Sequence, residues 1–108
     1  MSFVDVAKTI DIPGGRMKSF TVGGKEILIV NLDGNYFAIG AKCTHMGGEL
    51  EKGSLEGKVV TCPRHGAKFD VTTGSCVSGA RIGFLKLKTK DEPHFAVKIQ
   101  DGSIQVDL

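Results

Sequence analysis

Tryptophan is absent from this 108-residue sequence, and cysteine occurs only three times. An odd number of cysteines argues against a disulfide framework and leaves an even subset available to bind metal. The sequence also lacks a long apolar run, and Met1–Ile12 lacks the basic start and apolar core of a secretory signal. We therefore expect a soluble, cytoplasmic protein with no membrane partner.

The chain has no large excess of positive or negative charge: the formal net charge is +2, and the basic residues are scattered among acidic ones. Without a basic block, a nucleic-acid partner has no support from composition. The hydrophobic content of 41% is ordinary for a globular protein, and the length suits one domain, residues 1–108.

Glycine, by contrast, is abundant, and its fifteen residues separate short runs of β-branched and aromatic residues. No long segment has helical periodicity, so the pattern predicts an all-β chain. One hairpin is predicted where Glu26–Leu32 meets Tyr36–Ala41 across Asp33–Asn35, with a first strand apolar enough to be covered on both faces. Another pairs Phe95–Ile99 with Ile104–Leu108 and buries one face.

Shorter strands complete the predicted β framework. They are expected at Phe3–Lys8, Met17–Val22, Lys58–Thr61, Ala67–Val71 and Leu85–Leu87. Turns are densest in residues 42–80, which we interpret as a small inserted lobe.

Two cysteine and histidine pairs lie in this lobe: CTH at Cys43–His45 and, sixteen residues later, CPRH at Cys62–His65. Two thiolates and two imidazoles suit either tetrahedral zinc or an iron-sulfur cluster with mixed ligands. Structural zinc sites commonly pair like ligands within one short motif, whereas each motif here supplies one sulfur and one nitrogen. This division favours a 2Fe-2S cluster with both thiolates on one iron and both imidazoles on the other.

The surrounding residues are as characteristic as the pairs themselves. CTHMGGEL at Cys43–Leu50 and CPRHGAKFDVTTG at Cys62–Gly74 resemble the cluster loops of the Rieske family, and the resemblance extends to the C-terminal DGSIQVDL. It implies an antiparallel β-sandwich or incomplete barrel with a small cluster-binding lobe. It also implies one 2Fe-2S cluster per chain, with the ligands Cys43, His45, Cys62 and His65.

Residues beside the four ligands have expected roles of their own. Gly47, Gly48 and Gly66 would let backbone N–H groups approach the bridging sulfides. Met46 is expected either in an apolar docking surface or as a buried filler. Arg64 either attracts an acidic partner or is simply solvated.

Four positions depart from the respiratory-complex type of the family. That type has two additional cysteines joined by a disulfide, where this chain has Gly48 and Arg64. It also has a serine and a tyrosine that donate toward cluster sulfur, where this chain has Ala67 and Phe69. Because neither replacement can donate, we predict a reduction potential near the low end of the family range, about −150 mV.

The resemblance therefore implies a free-standing ferredoxin rather than an enzyme, since the chain offers no anchor and no room for a catalytic oxygenase domain. Its expected partners are a flavin-dependent reductase and a terminal oxygenase. Two alternatives remain open: a small subunit of a nitrite-reductase-type enzyme, and a structural zinc module without redox function.

Several titratable residues are expected to lie outside the site. Cys76 is interpreted as a half-buried or incidental thiol, and His94 as an exposed residue at a strand edge. Asp91 and Glu92 are interpreted as a solvated turn.

Overall fold

The computed structural model describes residues 3–44, 48–64, 66–79, 81–82, 85–86 and 89–108. Within these residues the secondary structure is almost entirely β, with two single-turn 3-10 helices at Thr9–Asp11 and Leu50–Lys52. The strands are β1 Phe3–Lys8, β2 Met17–Val22, β3 Lys25–Leu32, β4 Asn35–Gly40, β5 Ser54–Glu56, β6 Val59–Thr61, β7 Lys68–Asp70, β8 Cys76–Ser78, β9 Arg81–Ile82, β10 Leu85–Lys86, β11 His94–Phe95, β12 Val97–Gln100 and β13 Ser103–Asp107.

The strands form antiparallel sheets stacked in three layers. The central sheet has the order β11-β4-β3-β2, the outer sheet β1-β13-β12, and the lobe sheet β5-β6-β7-β8, while β9 and β10 pair separately. Among the described strands, the sheets do not close into a barrel. The predicted all-β, antiparallel architecture with an inserted lobe is therefore confirmed.

Strand β3 explains why three layers are needed. Its residues Ile27, Leu28, Ile29 and Val30 are all fully buried, because both faces of the central sheet are covered. Leu28 and Val30 belong to a core shared with the lobe, whereas Ile27 and Ile29 belong to a second core shared with the outer sheet. This is the two-sided burial that the apolar run predicts.

Two Asp-Gly turns set the register of the main hairpins. Asp33 and Gly34 have φ angles of 52° and 90°, which suit the two-residue turns that match strand twist. Asn35 consequently starts β4 opposite Leu32, so the predicted three-residue turn is shortened by one. The C-terminal hairpin turns in the same way at Asp101-Gly102.

The start of the C-terminal hairpin differs from the prediction. Phe95 belongs with His94 to β11, which pairs with β4 at the edge of the central sheet. The hairpin itself begins at Val97, because the chain changes sheets at Ala96. Ile99, placed on the buried face by its alternation, is instead 47% exposed.

Other predicted strands agree with the structure. Those at Phe3–Lys8 and Met17–Val22 have the predicted bounds, and the two lobe strands are each shorter than predicted. Leu87 lies outside the described residues. None of the described segments forms a helix long and apolar enough to cross a membrane.

Candidate metal centre

The first predicted ligand loop leaves the central sheet just after β4. Lys42 and Glu49 form an isolated antiparallel bridge at its base. Inside that bridge, the Cys43 backbone N–H donates to the Gly48 carbonyl oxygen across 2.7 Å. Cys43 is only 4% exposed, so the loop directs its thiol into the protein.

The second predicted ligand loop joins β6 to β7 in the lobe sheet. Its base is the Thr61–Lys68 pair, and the Cys62 N–H donates to the Ala67 carbonyl oxygen across 2.7 Å. Cys62 is 3% exposed. Both loops thus have a cysteine at the start, and each is closed by a bond from that cysteine to the residue five positions later.

The two loops touch each other at Gly48. A Cβ atom on this residue would lie 2.8 Å from Cys62 Sγ and 3.2 Å from Arg64 Cγ, closer than side-chain atoms normally approach. The missing side chain therefore allows the backbone of one loop to lie against the thiol of the other, and the approach of its N–H to a bridging sulfide stays a prediction. Arg64 itself is exposed, and its methylene groups pass over Gly48.

Apolar side chains surround both thiols on the protein side. Ala67 and Phe69 are fully buried, and they share one core cluster with Cys43 and Cys62. Their positions suit the predicted absence of hydrogen-bond donors near cluster sulfur, because neither side chain carries a polar atom.

Four of the predicted site residues, His45, Met46, Gly47 and His65, lie outside the described residues. The imidazole ligands therefore remain predictions. Gly66 is described: it is exposed, has a φ angle of 74°, and donates its N–H to the Cys62 carbonyl oxygen across 3.2 Å. This bond holds the second loop together at its tip.

The third cysteine is half-buried, as predicted, and packs against the core that contains the other two thiols. Cys76 lies in β8, is half-buried, and forms no disulfide, like Cys43 and Cys62. Burial, and secondarily the negative charge of Asp91, raises the pKa of its thiol. His94 is exposed in the edge strand β11, which also confirms its prediction.

Glu92 contradicts its interpretation as part of a solvated turn. It is 4% exposed, and its Oε2 accepts a hydrogen bond from the Thr44 backbone N–H across 3.0 Å. Burial raises the pKa of its carboxyl group to about 7, against a smaller lowering by the bond from Thr44. Sequence inspection missed this residue because an Asp-Glu pair before proline has the composition of an ordinary turn.

The described geometry defines a small, three-layered antiparallel β protein in which two similar loops bury a thiol each at a shared contact. A family model described as "Rieske [2Fe-2S] domain" matches residues 2–86. The chain belongs to this family.

Curated relatives match over almost their whole length. The ferredoxin component of the naphthalene 1,2-dioxygenase/salicylate 5-hydroxylase systems of Ralstonia sp is 32% identical over 107 residues, which are 99% of this chain and 96% of the relative. The ferredoxin component of biphenyl 2,3-dioxygenase of Rhodococcus jostii (strain RHA1) is 34% identical over 108 residues, which are 100% of this chain and 94% of the relative.

Solved structures share the fold. The ferredoxin of carbazole 1,9a-dioxygenase from Nocardioides aromaticivorans IC177 has a TM-score of 0.83 and 25% identity, with 98% of this chain and 97% of that chain covered. A chain in the complex of reduced oxygenase and oxidized ferredoxin of carbazole 1,9a-dioxygenase has a TM-score of 0.79 and 26% identity. The match covers 96% of this chain and 91% of that chain.

The close contact at Gly48 is testable by adding one methyl group. Gly48→Ala should reduce stability by about 1–3 kcal/mol, because the new Cβ forces the Cys62 thiol or the Arg64 side chain to move. The measurement is the midpoint of thermal unfolding. Gly14→Ala is the matched control, since no atom lies within 4 Å of its added Cβ. Equal midpoints for the two variants would contradict the close contact.

Glu92 should make stability depend on pH. Its pKa in the folded protein, about 7, exceeds its ordinary value of 4.5, so folding favours the protonated form. The resulting stabilisation is complete below the ordinary pKa and is lost as the pH rises through the folded value. Relative to Glu92→Gln, the wild-type protein should therefore lose stability between about pH 5 and pH 8 in urea unfolding. Parallel pH profiles would contradict this assignment.

Proposed function

We propose that this chain is a one-electron carrier, the ferredoxin component of a ring-hydroxylating dioxygenase system. The observation that carries the proposal is the pair of buried thiols, Cys43 and Cys62, on two loops that close alike and meet at Gly48. The relatives support the proposal, because the chain matches ferredoxin components over almost the whole length of both proteins.

The described residues fit a 2Fe-2S cluster. Cys43 and Cys62 would bind one iron, and His45 and His65 the other, with one cluster per chain. When bound, the cluster would supply reversible one-electron transfer. The protein contributes an apolar wall of Ala67 and Phe69 that shares a core with the thiols, while the predicted ligands His45 and His65 would face the partner.

Two partners follow from this function. One is the terminal oxygenase, as supported by the carbazole 1,9a-dioxygenase complex, in which an oxygenase and a ferredoxin are bound together. The other is a flavin-dependent reductase that supplies the electron. Such systems use soluble components, so we place the chain in the cytoplasm.

The first experiment tests the cofactor. Protein purified without oxygen should contain iron and acid-labile sulfide, and should absorb visible light that reductant bleaches. The reduced protein should have an average g value below that of an all-cysteine cluster, because two ligands are nitrogen. Cys43→Ser should abolish these signals, whereas Cys76→Ser should leave them intact. Colourless protein with one zinc ion would contradict the proposal and support a structural zinc module.

A second experiment separates an oxygenase carrier from a nitrite-reductase-type subunit. The reduced holoprotein is mixed with the reductase and oxygenase of a naphthalene or biphenyl dioxygenase system from which the native ferredoxin is omitted. Electron-carrier function predicts restored aromatic hydroxylation that depends on the concentration of this chain. A tight, stable complex with a nitrite-reducing enzyme and no restored hydroxylation would favour the alternative.

The apolar wall predicts a low reduction potential, near −150 mV at the low end of the family range. Ala67→Ser combined with Phe69→Tyr should raise the potential, because the added hydroxyls can donate to cluster sulfur. Redox titration measures the shift, and Phe20→Tyr in the other core is the control. A wild-type value above about +100 mV, or no rise in the double variant, would show that these side chains do not set the potential.

A further inference from the structure

A short strap, Lys90–Pro93, is hydrogen-bonded to the central sheet, to the lobe and to the first ligand loop. The Pro93 carbonyl oxygen accepts from the Gly40 N–H at the end of β4 across 2.9 Å. On the lobe side, the Glu92 N–H donates to the Gly74 carbonyl oxygen across 2.7 Å. The strap backbone alone therefore ties the central sheet to the hairpin that follows the second ligand loop.

The strap also holds the first ligand loop, at Thr44. The Thr44 N–H donates to Glu92 Oε2 across 3.0 Å, and the Thr44 hydroxyl donates to the Lys90 carbonyl oxygen across 2.6 Å. Thr44 stands between the predicted ligands Cys43 and His45. Both donors of this one residue are thus directed at the strap, although Thr44 is exposed.

Two glycines leave room for Glu92. A Cβ atom on Gly40 would collide with Glu92 Oε1, and one on Gly74 would collide with the Glu92 carbonyl oxygen. Glu92 is nevertheless 4% exposed, and none of the ion pairs found among the described residues involves it. Burying a carboxyl group is costly, so the hydrogen bond that Glu92 accepts from the first ligand loop matters for its placement.

The hydrogen bonds of the strap show what the Glu92 side chain does, because backbone and side chain bond to different parts of the fold. The strap is already attached to both layers through the backbone of Glu92 and Pro93. The Glu92 side chain is not needed for that attachment, and among the described residues it accepts a hydrogen bond from Thr44. Its contribution is therefore to the conformation of the ligand loop.

We propose that Glu92 is a positioning residue for the cluster site: its carboxyl group fixes the Thr44 peptide and so restrains the loop that begins at the predicted ligand Cys43. The inference rests on the proposed 2Fe-2S function. Thr44 and Glu92 are 48 residues apart, so this bond joins the loop before the lobe to the segment that follows the lobe in the chain.

Two substitutions separate positioning from charge. Glu92→Ala removes the acceptor and should change the g values of the reduced cluster and its reduction potential. Glu92→Gln keeps an acceptor oxygen without a charge and should retain the wild-type g values. Asp11→Ala is the control, since Asp11 also accepts from a backbone N–H, that of Lys8, but in the N-terminal 3-10 helix. Unchanged signals in Glu92→Ala, or equal shifts in Ala and Gln variants, would overturn the proposal.

A second measurement does not depend on any variant folding. In the wild-type holoprotein, the Thr44 amide should exchange with deuterium about tenfold or more slowly than in an unstructured peptide, because a bond to a carboxyl group restrains it. Residue-resolved exchange by mass spectrometry measures this rate, and exchange at the peptide rate would overturn the proposal. Wild-type protein without iron and sulfide would instead contradict the proposed function, while the Thr44 exchange rate would still report on the strap.

Discussion

The lobe is packed against one face of the central sheet, and the candidate site depends on this contact. Leu28 and Val30 from β3 meet Val60 and Phe69 from the lobe in one continuous core. Cys43 and Cys62 belong to the same core, so their thiols lie where the two layers join. An ionised thiolate in such a place is costly unless it is bound, and metal binding would therefore be coupled to folding.

The two ligand loops come from different layers, which makes their relative position a property of the whole fold. The first loop follows β4 of the central sheet, and the second lies within the lobe sheet. Each loop has its own closing hydrogen bond, so each can form locally. Their mutual placement needs the packed core, the contact at Gly48 and the strap Lys90–Pro93.

Burial gives the residues around the thiols unequal chemical roles. Ala67 and Phe69 offer no donor, so the protein side of the site is apolar. Glu92 is also buried, yet it accepts from a backbone N–H in the first loop and keeps a raised pKa. The site thus combines an apolar wall with one polar restraint, and the restraint acts on the loop rather than on the thiols directly.

Local pattern was enough to predict most of the strands and the Asp-Gly turns, because each depends on neighbours within a few residues, but it missed the short strands β5, β8 and β9. The paired cysteine motifs also identified the family before any geometry was known. The tertiary structure alone decided that Phe95 joins the central sheet and that Glu92 is buried against Thr44, since both outcomes depend on segments about 50 residues apart in the chain meeting in space. Alternation and turn composition describe the chain along its length, whereas burial is decided by which layers cover a residue once they have packed.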